Sequence, residues 1–186
     1  GNPVLSNPND IDNALSSGNL GSLSPKSGGN RLIWDMRYPG FKSFDGMVLY
    51  SSPNVGPKVT PGKYDLKMTY NNIVITKELE IIKDPRIKSS QEDFEKQLEF
   101  LIEVRNEVSR ANQKIIDIRK IKSDMSFIKD KADNDKYLKT LIDEYLIDLS
   151  IIENNIHMTK NQSRQDPLNF GIRINNRIAF LLADSQ

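Results

Sequence analysis

Side chains suited to proton transfer, nucleophilic attack or metal binding are scarce in this chain, which has no cysteine and one histidine. His157 stands beside Asn154, Asn155 and Asn161, and acid–base work there would need a carboxylate to orient the ring. Asp166, across a polar loop, is the residue available for that role. The simpler expectation is a helix-end histidine that meets the free carbonyls of its own helix. Asp10 and Asp12 in Asn9-Asp10-Ile11-Asp12-Asn13 cluster oxygens as a hard cation prefers, but the glycine and terminal glutamate of a calcium loop do not follow. A polar helix start accounts for them. Carboxylate pairs of the glycosidase kind need two acids some 5 to 10 Å apart in a concave site, and the acids here fall on the polar faces of expected helices. The sequence therefore nominates no catalytic residue, no metal site and no cofactor.

Two stretches could bind rather than react. Trp34-Asp35-Met36-Arg37-Tyr38 combines two aromatics with an acid and a base, a composition that can stack on a sugar ring and hydrogen-bond its hydroxyls. In a strand, Trp34 and Met36 would share one face and Asp35 and Arg37 the other, which gives a core tryptophan and a surface ion pair instead. Asn161-Gln162-Ser163-Arg164-Gln165-Asp166-Pro167-Leu168-Asn169 is dense in multivalent hydrogen-bonding groups, suited either to a ligand or to tying a loop to nearby helix ends. Trp34, Asp35, Arg37, Tyr38, Gln162, Arg164, Gln165, Asp166 and Asn169 are thus the candidate binding or inter-domain contact residues.

The elements that must hold these stretches follow from periodicity. Residues 1–29 form a polar irregular segment rich in Asn, Ser, Gly and Pro, with room for a short helix at Asp10–Ser16. From Arg31 to Lys83 the pattern has period two. Leu32–Met36 and Met47–Tyr50 read as strands, and Pro61-Gly62 fits a type II turn. Tyr64, Leu66, Met68 and Tyr70 then alternate with polar residues, and the chain reverses at Asn71-Asn72 into Ile73, Ile75, Leu79 and Ile81. That is a hairpin with one polar and one apolar face. The strand count is low for a complete sandwich, which points to a further strand upstream.

Asp84-Pro85-Arg86 ends the sheet. Ser89 with Glu92 then forms a capping box, and apolar or small residues recur every three or four positions from Phe94 through Leu98, Leu101, Val104, Val108, Ala111, Ile115, Ile118, Ile121 and Met125 to Ile128. Six acids and two bases occupy Glu92–Glu107, against seven bases and three acids over Arg110–Lys131, the distribution a helix dipole favours. After the break at Lys131–Asp135, a second stripe runs from Leu138 to Ile156, antiparallel to the first. Asp166-Pro167 opens a third, shorter helix carrying Ile174, Ile178, Leu181 and Leu182. The expected class is α+β: a small antiparallel immunoglobulin- or fibronectin-like β-sandwich over 30–84, then a three-helix bundle over 85–186.

The 186 residues hold 26 Lys and Arg against 25 Asp and Glu. The balance is even along the chain, nine bases to seven acids over 1–83 and seventeen to eighteen over 84–186. Such neutrality argues against nucleic acid as a partner. No apolar run is long enough to span a bilayer. The first residues, Gly1-Asn2-Pro3, carry no initiator methionine or signal segment, as expected of an excised fragment.

Four motifs in order, Trp34-Asp35-Met36-Arg37-Tyr38-Pro39-Gly40, Pro61-Gly62-Lys63-Tyr64, Lys83-Asp84-Pro85-Arg86 and Gln162-Ser163-Arg164-Gln165-Asp166-Pro167-Leu168-Asn169-Phe170, resemble the C-terminal region of large bacterial sortilin/VPS10-like, sialidase-like β-propeller proteins, often labelled BNR-repeat glycosyl hydrolases. The resemblance covers about residues 30 to 183. Met36 replaces a usual leucine, and Gly171 stands where a proline is common. The resemblance implies a non-catalytic accessory module of a secreted, periplasmic or envelope protein, with its own upstream propeller or another protein as partner. It carries over no catalytic residue, because the Asp-box repeats of the propeller do not occur here. A carbohydrate- or peptide-binding module using Trp34, Tyr38 and the Asn161–Asn169 loop is the alternative, with a glycan as the ligand.

Overall fold

The computed structural model describes residues 27–31 and 33–184. The short helix expected at Asp10–Ser16 lies outside them. In chain order the elements are β1 (Gly62–Tyr70), β2 (Ile73–Ile81), α1 (Gln91–Lys131), α2 (Lys136–Ile156), α3 (Asp166–Phe170) and α4 (Ile174–Asp184). The fold mixes helix and strand. Its residues fall into two compact units, the first reaching Gly40 and resuming over Val55–Ile102, the second comprising Phe41–Asn54 and the chain from Glu103 onward. That grouping differs from the 84/85 boundary drawn where Asp84-Pro85-Arg86 ends the period-two pattern.

In the first unit β1 and β2 pair antiparallel without a bulge, from Gly62 opposite Ile81 to Tyr70 opposite Ile73. Asn71 and Asn72 close the ribbon at φ 45° and 65°, the two positive values of a type I′ turn, which asparagine tolerates better than most residues. Alternation puts Tyr64, Leu66, Met68 and Tyr70 on one face with Ile73, Ile75, Leu79 and Ile81, interrupted by Lys77 opposite Leu66, while Lys63, Asp65, Lys67, Thr69, Val74, Thr76, Glu78 and Glu80 occupy the other. The apolar face is open: Leu66, Tyr70 and Ile73 are 59%, 60% and 61% exposed.

This is the only sheet among the described residues, where the sequence suggests the layers of a sandwich. The expected strand at Leu32–Met36 is a turn over its described residues. Asp35 Oδ1 accepts from the Arg37 N–H at 3.1 Å, the Trp34 indole N–H donates to the Arg37 carbonyl at 3.1 Å, and Met36 sits at φ 58°. A side chain that bonds its own backbone two residues on removes the groups a ladder would use. The segment joins Val55–Thr60 through an isolated bridge between Arg37 and Lys58. Gly56 permits this approach, since a Cβ there would lie 1.8 Å from the Tyr38 carbonyl oxygen. Gly62 is already the first residue of β1, at φ 152°, so Pro61-Gly62 starts a strand rather than forming the expected type II turn.

The capping box that opens α1 is real but one residue later than expected. Ser90 N–H donates to Asp93 Oδ2 at 2.8 Å, and Asp93 N–H returns a bond to Ser90 Oγ at 3.2 Å. The helix then runs for 41 residues.

In the second unit Val104, Val108, Ile115 and Ile118 of α1, Ile142 of α2, and Ala179 and Leu182 of α4 are buried, together with Phe41, Leu49 and Met158. Ion pairs from Lys129 to Asp143 and from Lys122 to Glu153 join α1 and α2 in antiparallel order. Beyond Ile118 the stripe opens, with Ile121, Ile128, Tyr145 and Ile152 exposed. The expected strand Met47–Tyr50 is absent because helix side chains take its backbone. Asn176 acts on Tyr50 as a neighbouring strand would: its Oδ1 accepts the Tyr50 N–H at 2.8 Å, and its Nδ2 donates to the Tyr50 carbonyl at 3.0 Å. Ser109 Oγ and Asn112 Nδ2 bracket Lys42 in the same way. The single third helix is two helices, separated after Gly171 at φ 87°.

Candidate functional site

A polar cluster lies inside the second unit. α1 contributes Asn112, α4 contributes Asn175, and His157 stands at the C-cap of α2 in extended conformation. All three are buried, His157 to 2% exposure. Asn175 Nδ2 donates to Asn112 Oδ1 at 3.1 Å and contacts His157 Nδ1 at 3.2 Å. Asn112 Nδ2 passes the chain on to the Lys42 carbonyl at 2.7 Å. An amide nitrogen has two hydrogens and no acceptor capacity, so His157 Nδ1 is the acceptor and the ring is neutral with its hydrogen on Nε2. Burial, followed by the positive charge of Arg119, holds His157 below the usual histidine range. Phe44 meets the imidazole edge to face at 4.9 Å, and the Arg119 guanidinium lies 4.8 Å from the centre of the same ring.

Glu153, one turn before His157, is 3% exposed. Burial alone would raise its carboxyl pKa. Hydrogen bonds from Arg119 Nε at 2.8 Å and Lys122 Nζ at 3.0 Å outweigh burial and keep the carboxyl ionised, below its ordinary range. Arg119 also donates to the Asp45 carbonyl at 2.7 Å, joining the ion pair to the Phe41–Asn54 segment.

The cluster contains a base, and its neighbours among the described residues are amides, a ring and an ion pair. No hydroxyl bonds His157 among the described residues, and the acid considered for it, Asp166, is engaged elsewhere. Asp166 accepts from the backbone N–H groups of Gln162 and Ser163, at 2.7 and 2.8 Å, and from Ser163 Oγ at 2.9 Å. The two backbone bonds, helped by the serine hydroxyl, hold its pKa below the usual carboxylate range. The expectation that His157 meets exposed helix carbonyls gives way to a buried ring paired with Asn175. No group of His, Asp and Glu able to hold a metal occurs among the described residues.

Trp34, Asp35, Arg37 and Tyr38 belong to the first unit, and Gln162, Arg164, Gln165, Asp166 and Asn169 to the second. Each set is held locally. The Trp34 ring meets Tyr64 at 6.3 Å, near perpendicular, Tyr38 is buried, and the Arg37 guanidinium donates to the Gly56 carbonyl at 2.9 Å. Gln162, Arg164, Gln165 and Asn169 are exposed around the loop that Asp166 closes. Asp84 and Arg86 of the third motif also pair with each other, at 2.7 Å.

Sequence reasoning missed Asn112, Asn175 and Glu153. Asn112 left a signal: it lies four residues after Val108 and three before Ile115, inside the apolar stripe. Glu153 lies one helical turn before the only histidine. Asn175 and Asn176 have no comparable signature, since an Asn-Asn pair reads equally as a loop.

The remaining candidate is a surface, the apolar face of the β1–β2 ribbon. It presents Leu66, Met68, Tyr70, Ile73, Ile75 and Leu79, each more than two fifths exposed. No helix among the described residues is long and apolar enough to cross a membrane. No protein family, curated protein or solved structure matches this chain.

Proposed function

We propose that this chain is a non-catalytic interaction module, whose ribbon is one layer of a sandwich completed by another part of its parent protein or by a partner protein. The observation that carries this reading is the uncovered apolar face of β1 and β2. Contiguous exposed apolar surface on a folded chain marks an interaction site far more often than chance, and a two-stranded ribbon by itself is marginal in water. The four ordered motifs support placement behind a β-propeller in a secreted or envelope protein. A glycan site on Trp34 and Tyr38 gains nothing from the geometry, because the indole N–H is already bonded and Tyr38 is buried.

The test is binding in trans. The polypeptide encoded upstream of Gly1 in the parent reading frame is produced separately and titrated calorimetrically with this chain, and with a variant carrying Leu66→Glu, which faces Lys77 favourably, and Ile75→Lys. Binding by the parent chain that falls at least tenfold in the variant is the expected result. Equal binding by both, no binding, or a start codon immediately before Gly1 overturns the reading.

A further inference from the structure

The outer edge of β1, which pairs with no other strand among the described residues, has features that the outer edge of β2 lacks. A two-residue turn closes on a pair that exchanges both backbone hydrogen bonds, here Tyr70 and Ile73. Alternation then directs the N–H and C=O groups of Lys63, Asp65, Lys67 and Thr69 away from β2. No bulge interrupts this edge and no proline lies within it. Such an edge is a template for another strand.

Its charges select the strand. Asp65 sits directly opposite Glu78, a like charge, while Glu78 is bonded to Lys63 at 3.0 Å. No hydrogen bond or ion pair among the described residues engages Asp65 or Lys67. A two-fold axis through Leu66, the midpoint of β1, brings outward-pointing backbone groups against outward-pointing groups. It sets Asp65 opposite Lys67 of the partner subunit, and Lys67 opposite the partner's Asp65. The same operation at the midpoint of β2 opposes two copies of Lys77, so β1 is the self-complementary edge.

We infer that two copies of this chain pair antiparallel along β1, forming a four-stranded sheet β2-β1-β1-β2 with paired Asp65–Lys67 contacts across the two-fold axis. The inference rests on the interaction-module reading, and it deepens that reading: the joined sheet doubles the apolar face into one continuous platform.

Sedimentation velocity of the full chain from micromolar to several hundred micromolar concentration tests it. Wild type is expected to dimerise with concentration. Asp65→Lys places lysines at 65 and 67 on both copies and is expected to weaken the dimer about tenfold or more, while inside its own hairpin it faces Glu78 favourably, so the thermal melt should not fall. Adding Lys67→Asp reverses both charges and is expected to restore the dimer. A monomer throughout, a dimer indifferent to Asp65→Lys, or a double variant that stays monomeric overturns self-pairing. If the chain is a monomer and binds the upstream polypeptide, the edge is free of a second copy while the module reading stands. If it dimerises through β1 without binding upstream, the trans-docking reading fails alone.

Discussion

The two units invert each other. The hairpin places Leu66, Met68, Tyr70 and Ile73 outside, whereas the helical unit places Asn112, Asn175, Glu153 and His157 inside. Exposed apolar patches and buried polar groups are the informative departures from ordinary folding, and here they point in opposite directions. A buried amide network tied to backbone and side chains through Asn112 and the Asn175 amide nitrogen specifies one arrangement of its helices, although Asn175 Oδ1 is buried without a partner among the described residues. An apolar ribbon left exposed among the described residues calls for something further.

Three measurements can break or sharpen this contrast. The largest effect is expected from Asn175→Ala, which leaves Asn112 Oδ1 and His157 Nδ1 without their donor. Two orphaned buried acceptors should destabilise the chain by about 3 kcal/mol, read as a lower midpoint in urea by circular dichroism. An unchanged midpoint means that the cluster does not hold the helices.

A smaller effect is expected from pH. The folded pKa of His157 is lowered, so between that value and the ordinary histidine pKa, about 6.5, the unfolded chain binds more protons than the folded one. The stability contributed by the neutral ring is complete above about pH 6.5 and declines as pH falls through the lowered folded value. The groups facing the ring are Asn175, Phe44, Arg119 and Glu153. The last remains ionised through this window, because its own pKa is also depressed. Urea midpoints taken from pH 7.5 downward should fall in the parent chain and lose that slope in His157→Gln. A slope that survives the substitution assigns the titration to another group.

The smallest effect is expected on the ribbon. Leu66→Gln, which puts no charge opposite Lys77, should alter the stability of the chain by no more than about 0.5 kcal/mol, as exposed substitutions do. A larger loss means that the apolar face is already covered in the isolated chain, and the contrast between the units disappears.

Much of the helical architecture was legible because three- and four-residue spacing is a local property. The stripe from Phe94 to Ile128, the break at Asp133 and the paired strands of the ribbon all lie where the pattern puts them. The capping box moved from Ser89 and Glu92 to Ser90 and Asp93, since either spacing satisfies the rule and only packing chooses between them. The short strands failed for a nonlocal reason. Met47–Tyr50 has strand composition, but its hydrogen-bonding partner is a side-chain amide 126 residues away, at Asn176. No period within the segment encodes that choice. The apolar face of the ribbon was legible as apolar, while its exposure is a tertiary property that no period within the strands encodes.

Trp34 is the only tryptophan in the chain, and it packs edge-on against Tyr64 near the start of β1. Tryptophan emission therefore arises from one place, in the first unit, while far-ultraviolet ellipticity is dominated by the helices. The protein carries two separable optical reporters without any label. Comparing their unfolding curves in a single denaturant series shows whether ribbon and helices melt together or in succession.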